Sequence, residues 1–320
     1  MKVLTIGFTT HRPEMVPLTE EQVESFDALF LEEPPAAGFD AMLAGRLAIE
    51  DYLAPMDLEY PDYSRRMCHM LRRVSQKGRA LFQVEPFMEA LVGLHEFFAD
   101  GHTPADIESQ GLRRAVYEAE RNATGALLSY YRCVMSGSFD AVLAAVKTFA
   151  RHDAARFRLR DRLRAIAISN RTAAFRRPYV EAGMIHYSLY PLLRQQLKNN
   201  FHVKLVFTSD AAFRRLGRKK RHLYGPGDQL TLLYIFHPRL GDNEPRSSLL
   251  AARALIFVKL IEKEEITKGA TAFPHLLNEA ETIRTVNRLG FEDCRRLFPV
   301  IRRLSTPAAG AAVKEYQASP

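Results

Sequence analysis

The stretch VLTIGFTTHRPEMVPLTEEQVESFDALFLEEPP, residues 3–35, decides the fold. Val3 to Phe8 is a short, apolar, β-rich run that stops at Thr9, Thr10 and His11, the profile of a buried strand. PLTEEQVESF then supplies a helix start, with Thr19 as N-cap and Gln22 three positions on. Ala28 to Leu31 is a second buried strand, ended by Glu32, Glu33 and the pair Pro34-Pro35. Working outward, helices are expected over Asp40–Tyr52 and Tyr63–Lys77, the latter closed by Lys77-Gly78. A third strand over Ala80–Val84 stops at Glu85-Pro86. Strand and helix thus alternate, the order of an α/β fold with a mainly parallel sheet flanked by helices.

From about Pro104 to Phe175 the pattern is helical only, in three segments starting near Ala115, Phe139 and Arg156. Strands resume at Tyr179–Ala182 and Val203–Phe207, with a helix over Leu189–Leu197 between them. The middle therefore reads as a helical insertion, residues 104–175, within an α/β core of residues 1–207. A helical C-terminal extension follows over residues 208–305, opened by a strand at Gln229–Phe236 (QLTLLYIF). Its helices are expected over Ser247–Ile266, Leu276–Leu289 and Glu292–Leu304, and residues 306–320 are expected to form a flexible tail.

Composition bounds the class of protein. The 320 residues are 47% hydrophobic and 26% charged, which excludes disordered, collagen-like and coiled-coil chains. The net charge of +8 is a mild basic bias that fits anionic partners without requiring them. Cys68, Cys133 and Cys294 are odd in number and far apart, so neither a disulfide framework nor a zinc ribbon is expected, and a reducing cytoplasm is the simplest compartment. The start lacks the apolar core and cleavage site of a signal peptide. The longest apolar segment, Leu249–Ile261, is broken by Arg253 and Lys259, so no membrane span is expected.

In open α/β sheets ligands bind outside the carboxyl ends of the strands. The residues standing there are His11 after the first strand, Glu32 and Glu33 after the second, Glu85 after the third, and Gly183-Met184-Ile185-His186 after the fourth. Two histidines and two or three carboxylates converging on one sheet edge suit a divalent metal, or a water held between a base and its orienting carboxylate. Each residue alone is more often a loop residue or a strand terminator; the joint pattern is the signal.

This arrangement resembles the TraB/Tiki family, within the wider superfamily of erythromycin esterases and ChaN-like haem-binding proteins. The resemblance rests on the strand ending in Gly7-Phe8-Thr9-Thr10-His11 and on the strand–GxxH–helix segment VEAGMIHYSLYPLLRQQL around Gly183 and His186. It rests further on the preceding helix RLRAIAISNRTAAF, with Arg164 and Asn170 on its inner face and Arg171 as a neighbouring candidate. The first motif has one residue more than the family's GxxH, and nothing beyond residue 207 is similar. The resemblance implies three readings, since Tiki-type members are similar to metal-dependent peptidases, erythromycin esterases are hydrolases with a His/Glu-lined cleft, and ChaN-like members bind haem.

The resemblance implies a hydrolase of amide or ester bonds acting on a peptide, ester or other small molecule. His11, His186 and Glu32 would hold a divalent metal ion, with Glu85 either as base or as a group behind the ligands. Arg164, Asn170 and Arg171 would stabilise the developing oxyanion. The alternative is a non-catalytic haem, small-ligand or regulatory protein using the same cleft, with His186 as an axial haem ligand. The basic run Arg214–His222 reads more readily as a solvated loop than as a nucleic-acid contact. Gly225-Pro226-Gly227-Asp228 lacks the lysine and hydroxyl of a phosphate loop, and GxSxG is absent.

Overall fold

A computed structural model describes residues 2–219, 223–241, 244–266 and 271–318. The elements run β1 (Lys2–Thr9), α1 (Val16–Val23), β2 (Ala28–Leu31), α2 (Phe39–Leu43), α3 (Ile49–Leu53), α4 (Pro61–Gln76), β3 (Ala80–Gln83) and α5 (Pro86–Ala99). Two long helices follow, α6 (Leu112–Ser136) and α7 (Phe139–Thr172). Then come β4 (Pro178–Gly183), α8 (Leu189–Gln196), β5 (Phe201–Phe207) and α9 (Thr208–Arg215). The remainder is helical: α10 (Pro226–Phe236), α11 (Pro245–Leu260), α12 (Pro274–Asn287), α13 (Phe291–Ile301) and α14 (Thr306–Ala318).

The chain divides into two compact units. One comprises residues 1–113, 159–222 and 265–274; the other comprises residues 114–158, 223–264 and 275–320. The helices of the expected insertion therefore divide, most of them grouping with the C-terminal helices, and the boundary expected at residue 207 is not a unit boundary.

The first unit holds a five-stranded, all-parallel sheet in the order β3-β2-β4-β1-β5. It is the α/β fold expected. Alternation along each strand sends side chains to two cores. Leu4, Ile6, Phe8, Phe30 and Val180 pack with Ala165 and Ile168 of α7 and Leu189 and Leu193 of α8. Leu29, Leu31 and Tyr179 pack on the other side with Met42, Tyr52, Met70 and Leu71. Gly7 is required by this arrangement: a Cβ there would lie 1.6 Å from the Tyr179 hydroxyl, which donates to Gln22 Oε1 at 2.9 Å.

The second unit is helical and has its own core, built around Val142, Leu230, Leu255, Val286, Leu297 and Ile301. Residues 229–236, expected as a strand, lie in α10. Their β-branched and aromatic content suggests a strand, but Pro226 sits in the first turn and Leu230, Thr231, Tyr234 and Ile235 are buried with helical spacing. The expected tail is α14, whose Ala309 and Val313 are fully buried; only Ser319 and Pro320 lie outside the described residues.

Smaller expectations also change. α1 begins at Val16, so Thr19 is inside the helix and its hydroxyl donates to Met15 O at 3.2 Å. Gly45, at φ 75°, lies between α2 and α3 in the span expected as one helix. α7 is continuous for 34 residues because no glycine or proline interrupts it. Of the basic run, Arg214 and Arg215 end α9, while Lys220, Arg221 and His222 lie outside the described residues.

Among the described residues no helix is long and apolar enough to cross a membrane. Deleting residues 306–320 removes two fully buried side chains from the second core, so the truncated protein is expected to unfold at lower temperature. An unchanged midpoint in calorimetry would contradict this packing.

Candidate functional site

Because β4 lies between β1 and β2, the carboxyl ends of these three strands are adjacent. His11 follows β1, Glu32 follows β2, and β4 contributes Glu181 and then turns through Gly183 to His186, whose amide donates to Gly183 O at 3.0 Å. The convergence can be measured from Gly183. A Cβ on that residue would lie 3.6 Å from Glu32 Oε2, 3.7 Å from His186 Cδ2 and 3.8 Å from His11 Cε1. α7 faces the same ends with Arg160, Asp161 and Arg164.

His186 is buried between two carboxylates. Its Nε2 lies 2.6 Å from Glu32 Oε1, and its Nδ1 bonds Asp161, which also accepts from the Ser188 hydroxyl. Burial would lower the imidazole pKa, but Glu32 and Asp161 push it up to about 9. For Glu32 burial acts upward, and His186, Arg164 and Arg160 hold its carboxyl well below the usual range. The other Glu32 oxygen accepts from the Gly183 amide at 2.6 Å and faces Arg164 Nη1 at 3.4 Å.

Arg164 is fully buried and joins several strand ends. Its Nε donates to Val84 O at 2.9 Å and its Nη2 to Glu181 O at 2.5 Å. Arg160 Nη2 lies 3.3 Å from Glu85 Oε2 and 3.6 Å from Glu32 Oε1. Glu85 is 1% exposed, and its Oε1 has no hydrogen-bond partner among the described residues.

His11 stands in different surroundings. Its side chain is 37% exposed, and its Nε2 lies 3.2 Å from Oε1 of the buried Glu181. Glu181 Oε2 accepts from the Glu32 amide at 2.9 Å, which fixes the carboxylate, and the Tyr63 ring stacks on the imidazole at 5.2 Å. Burial would lower the His11 pKa, but Glu181, with Glu32 behind it, reverses this and raises it above 6.5. Beside the pair, burial raises the carboxyl pKa of Glu33, which accepts from Gln83 Nε2 at 3.1 Å.

The structure thus brings His11, Glu32, His186, Glu85 and Arg164 to one sheet edge. Asn170 and Arg171 are not part of the cluster, and both are exposed. Six residues along α7 from Arg164 turn Asn170 away from the face of Arg164, while Arg171 shares that face but stands in the last turn of the helix, where its Nη1 donates to Ala167 O at 3.2 Å. Arg164 has three of its donors spent on protein acceptors, so it acts here as a strut rather than an oxyanion donor.

A metal ion does not fit this donor set. Both His186 nitrogens face carboxylates, and Glu32 is flanked by two guanidiniums that would repel a divalent cation. No group of three or more His, Cys, Asp or Glu among the described residues is arranged to hold one. The same clamp leaves His186 no nitrogen for a haem iron.

Sequence reasoning missed Glu181, Asp161, Arg160 and Ser188. Glu181 carried a visible signal, a carboxylate inside the apolar strand PYVEAG. Asp161 carried another, standing three residues before Arg164 on the face that continues with Ala165 and Ile168.

Replacing His186 with alanine leaves Glu32 and Asp161 buried without the cation between them and is expected to cost ~3–5 kcal/mol. Because the folded pKa lies above 6.5, the contribution of this imidazole to stability is whole below pH 6.5 and is lost as pH rises through about 9. Urea unfolding across that range checks the sign.

One comparison with known proteins gives a relative. The chain is 30% identical over 296 residues to an uncharacterized protein of Archaeoglobus fulgidus, covering 92% of this chain and 97% of that one. No family model matches the chain. No solved structure matches it.

Proposed function

We propose that this chain, which belongs to the same family as the Archaeoglobus fulgidus protein, is a His/Glu-dependent hydrolase of an ester or amide bond. The observation that carries the reading is the outward-facing pair of His11 and Glu181. A solvent-open imidazole held by a buried carboxylate, itself fixed by a backbone amide, is the arrangement of a general base with its orienting group. The resemblance of the strand–GxxH–helix segment to the TraB/Tiki and erythromycin esterase proteins supports the same class of chemistry.

In this reading Glu181 takes the Nε2 proton as a hydrogen bond, which leaves Nδ1 of His11 to accept a proton from water. The water oxygen adds to the substrate carbonyl, and the imidazolium formed is stabilised by Glu181. The imidazolium then returns its proton to the departing alcohol or amine as the carbonyl carbon–heteroatom bond breaks. Glu32 positions Glu181 through its amide and Gly183 through its side chain, and His186 holds Glu32 in place. Arg160, Arg164 and Asp161 complete the frame and do not meet the substrate.

His11→Ala removes a partly exposed imidazole from the buried Glu181 carboxylate, which keeps its bond from the Glu32 amide, and is expected to leave the protein folded at a cost of ~1–3 kcal/mol. Hydrolysis of activated esters or amides that the native protein accepts should fall about 10²–10⁴-fold. Activity of the native protein should rise with pH through an apparent pKa above 6.5. Glu181→Gln removes the largest upward influence on His11 and leaves burial and His186 acting downward against Glu32, so that limb should move to lower pH. A His11→Ala protein that hydrolyses every accepted substrate at the native rate would remove the proposal.

A further inference from the structure

The second unit contains a cleft unrelated to the strand-end cluster. Its volume is about 250 Å³, larger than the roughly 150 Å³ cavities that hold benzene. It is formed where α10 and α11 meet residues of α6 and α7. The walls are mainly apolar and include the rings of Tyr130, Phe149 and Phe257. Glycines keep the α10 side open. A Cβ on Gly225 would meet the Phe257 ring at 3.2 Å, whereas one on Gly227 would meet only Ala254 Cβ at 3.9 Å.

The polar groups in this cleft are few. Thr231 lines the cleft and is a mostly buried residue. Of the two carboxylates, Asp153 is paired with Arg156 Nη2 at 2.6 Å. Asp228 stands exposed at the rim and accepts only the Gly225 amide, at 3.2 Å, with no cation beside it among the described residues. An apolar, aromatic-rich cleft with a threonine in its wall and one carboxylate without a cation beside it suits a particular ligand chemistry.

The geometry points to a binding site for a small hydrophobic ammonium compound, with its apolar body against Phe149 and Phe257 and its cation at Asp228. The carboxylate supplies the charge, the rings supply cation–π and apolar contact, and Thr231 supplies an acceptor for an N–H. Neutral molecules of the same shape keep the apolar contact and lose the charge pair. Anionic ones also meet repulsion from Asp228.

Calorimetric titration of the full chain with 2-phenylethylamine, 2-phenylethanol and 3-phenylpropionate tests this. The amine is expected to bind saturably at millimolar concentration or below, about tenfold more tightly than the alcohol, and the acid more weakly still. Asp228→Asn keeps an oxygen for the Gly225 amide and should bring the amine to the affinity of the alcohol. Gly227→Phe places a ring in the cleft without a left-handed backbone requirement and should abolish binding of all three. No saturable binding of the amine, no preference for it over the acid, or full binding by either folded variant overturns the site.

Discussion

One buried imidazole holds the strand-end cluster together. Glu32 and Asp161 come from opposite sides, one following a central strand and the other on the long helix α7, and each brings a carboxylate into an interior where an unpaired charge is costly. His186 lies between them and satisfies both through its two nitrogens. Arg164 carries the same tie further, to the carbonyls of Val84 and Glu181. The ends of β2 and β4 and the segment after β3 are thereby fixed to one face of α7. This polar frame gives His11 a constant backdrop.

The two histidines show how surroundings divide one chemistry into two roles. Each has a carboxylate partner, and in each the partner outweighs desolvation. His186 has two such partners and almost no exposure, so it is a charged structural element. His11 has one close partner and an open side, so its proton can exchange with whatever enters the cleft. A chemist looking for the reactive group would choose the more accessible imidazole, although the more buried one has the denser hydrogen bonding.

Much of the fold could be read along the chain because it is built from short-range signals. The five parallel strands coincide with apolar runs of four to eight residues that end in charged or turn residues, and their terminators supplied His11, Glu32, Glu85 and His186. The failures were of two physical kinds. QLTLLYIF has strand-like side chains, but the proline before it and packing against α11 make it helical. Asn170 and Arg171 were placed by likeness to a motif; helical geometry turns Asn170 away from the face of Arg164, and Arg171 lies in the exposed last turn of α7. The partners of the histidines were hidden for another reason: Glu181 and Asp161 become meaningful only when β4 is known to lie between β1 and β2, a pairing across about 170 residues that no local pattern encodes.

That strand order has a consequence for how the chain must be made. β1 pairs with β4 and β5 alone, and neither exists until residue 178 has been synthesised. At ~5–20 residues per second, the first strand waits on the order of ten to thirty seconds on the ribosome with both edges bare. During that time Leu4, Ile6 and Phe8 have no sheet neighbours to cover them. β2 and β3 can pair early, but they cannot recruit β1, because the place between them is reserved for a strand still to come. The nascent chain is therefore a natural client for factors that shield emerging apolar segments, and its vulnerable period is set by topology rather than by the stability of the finished fold.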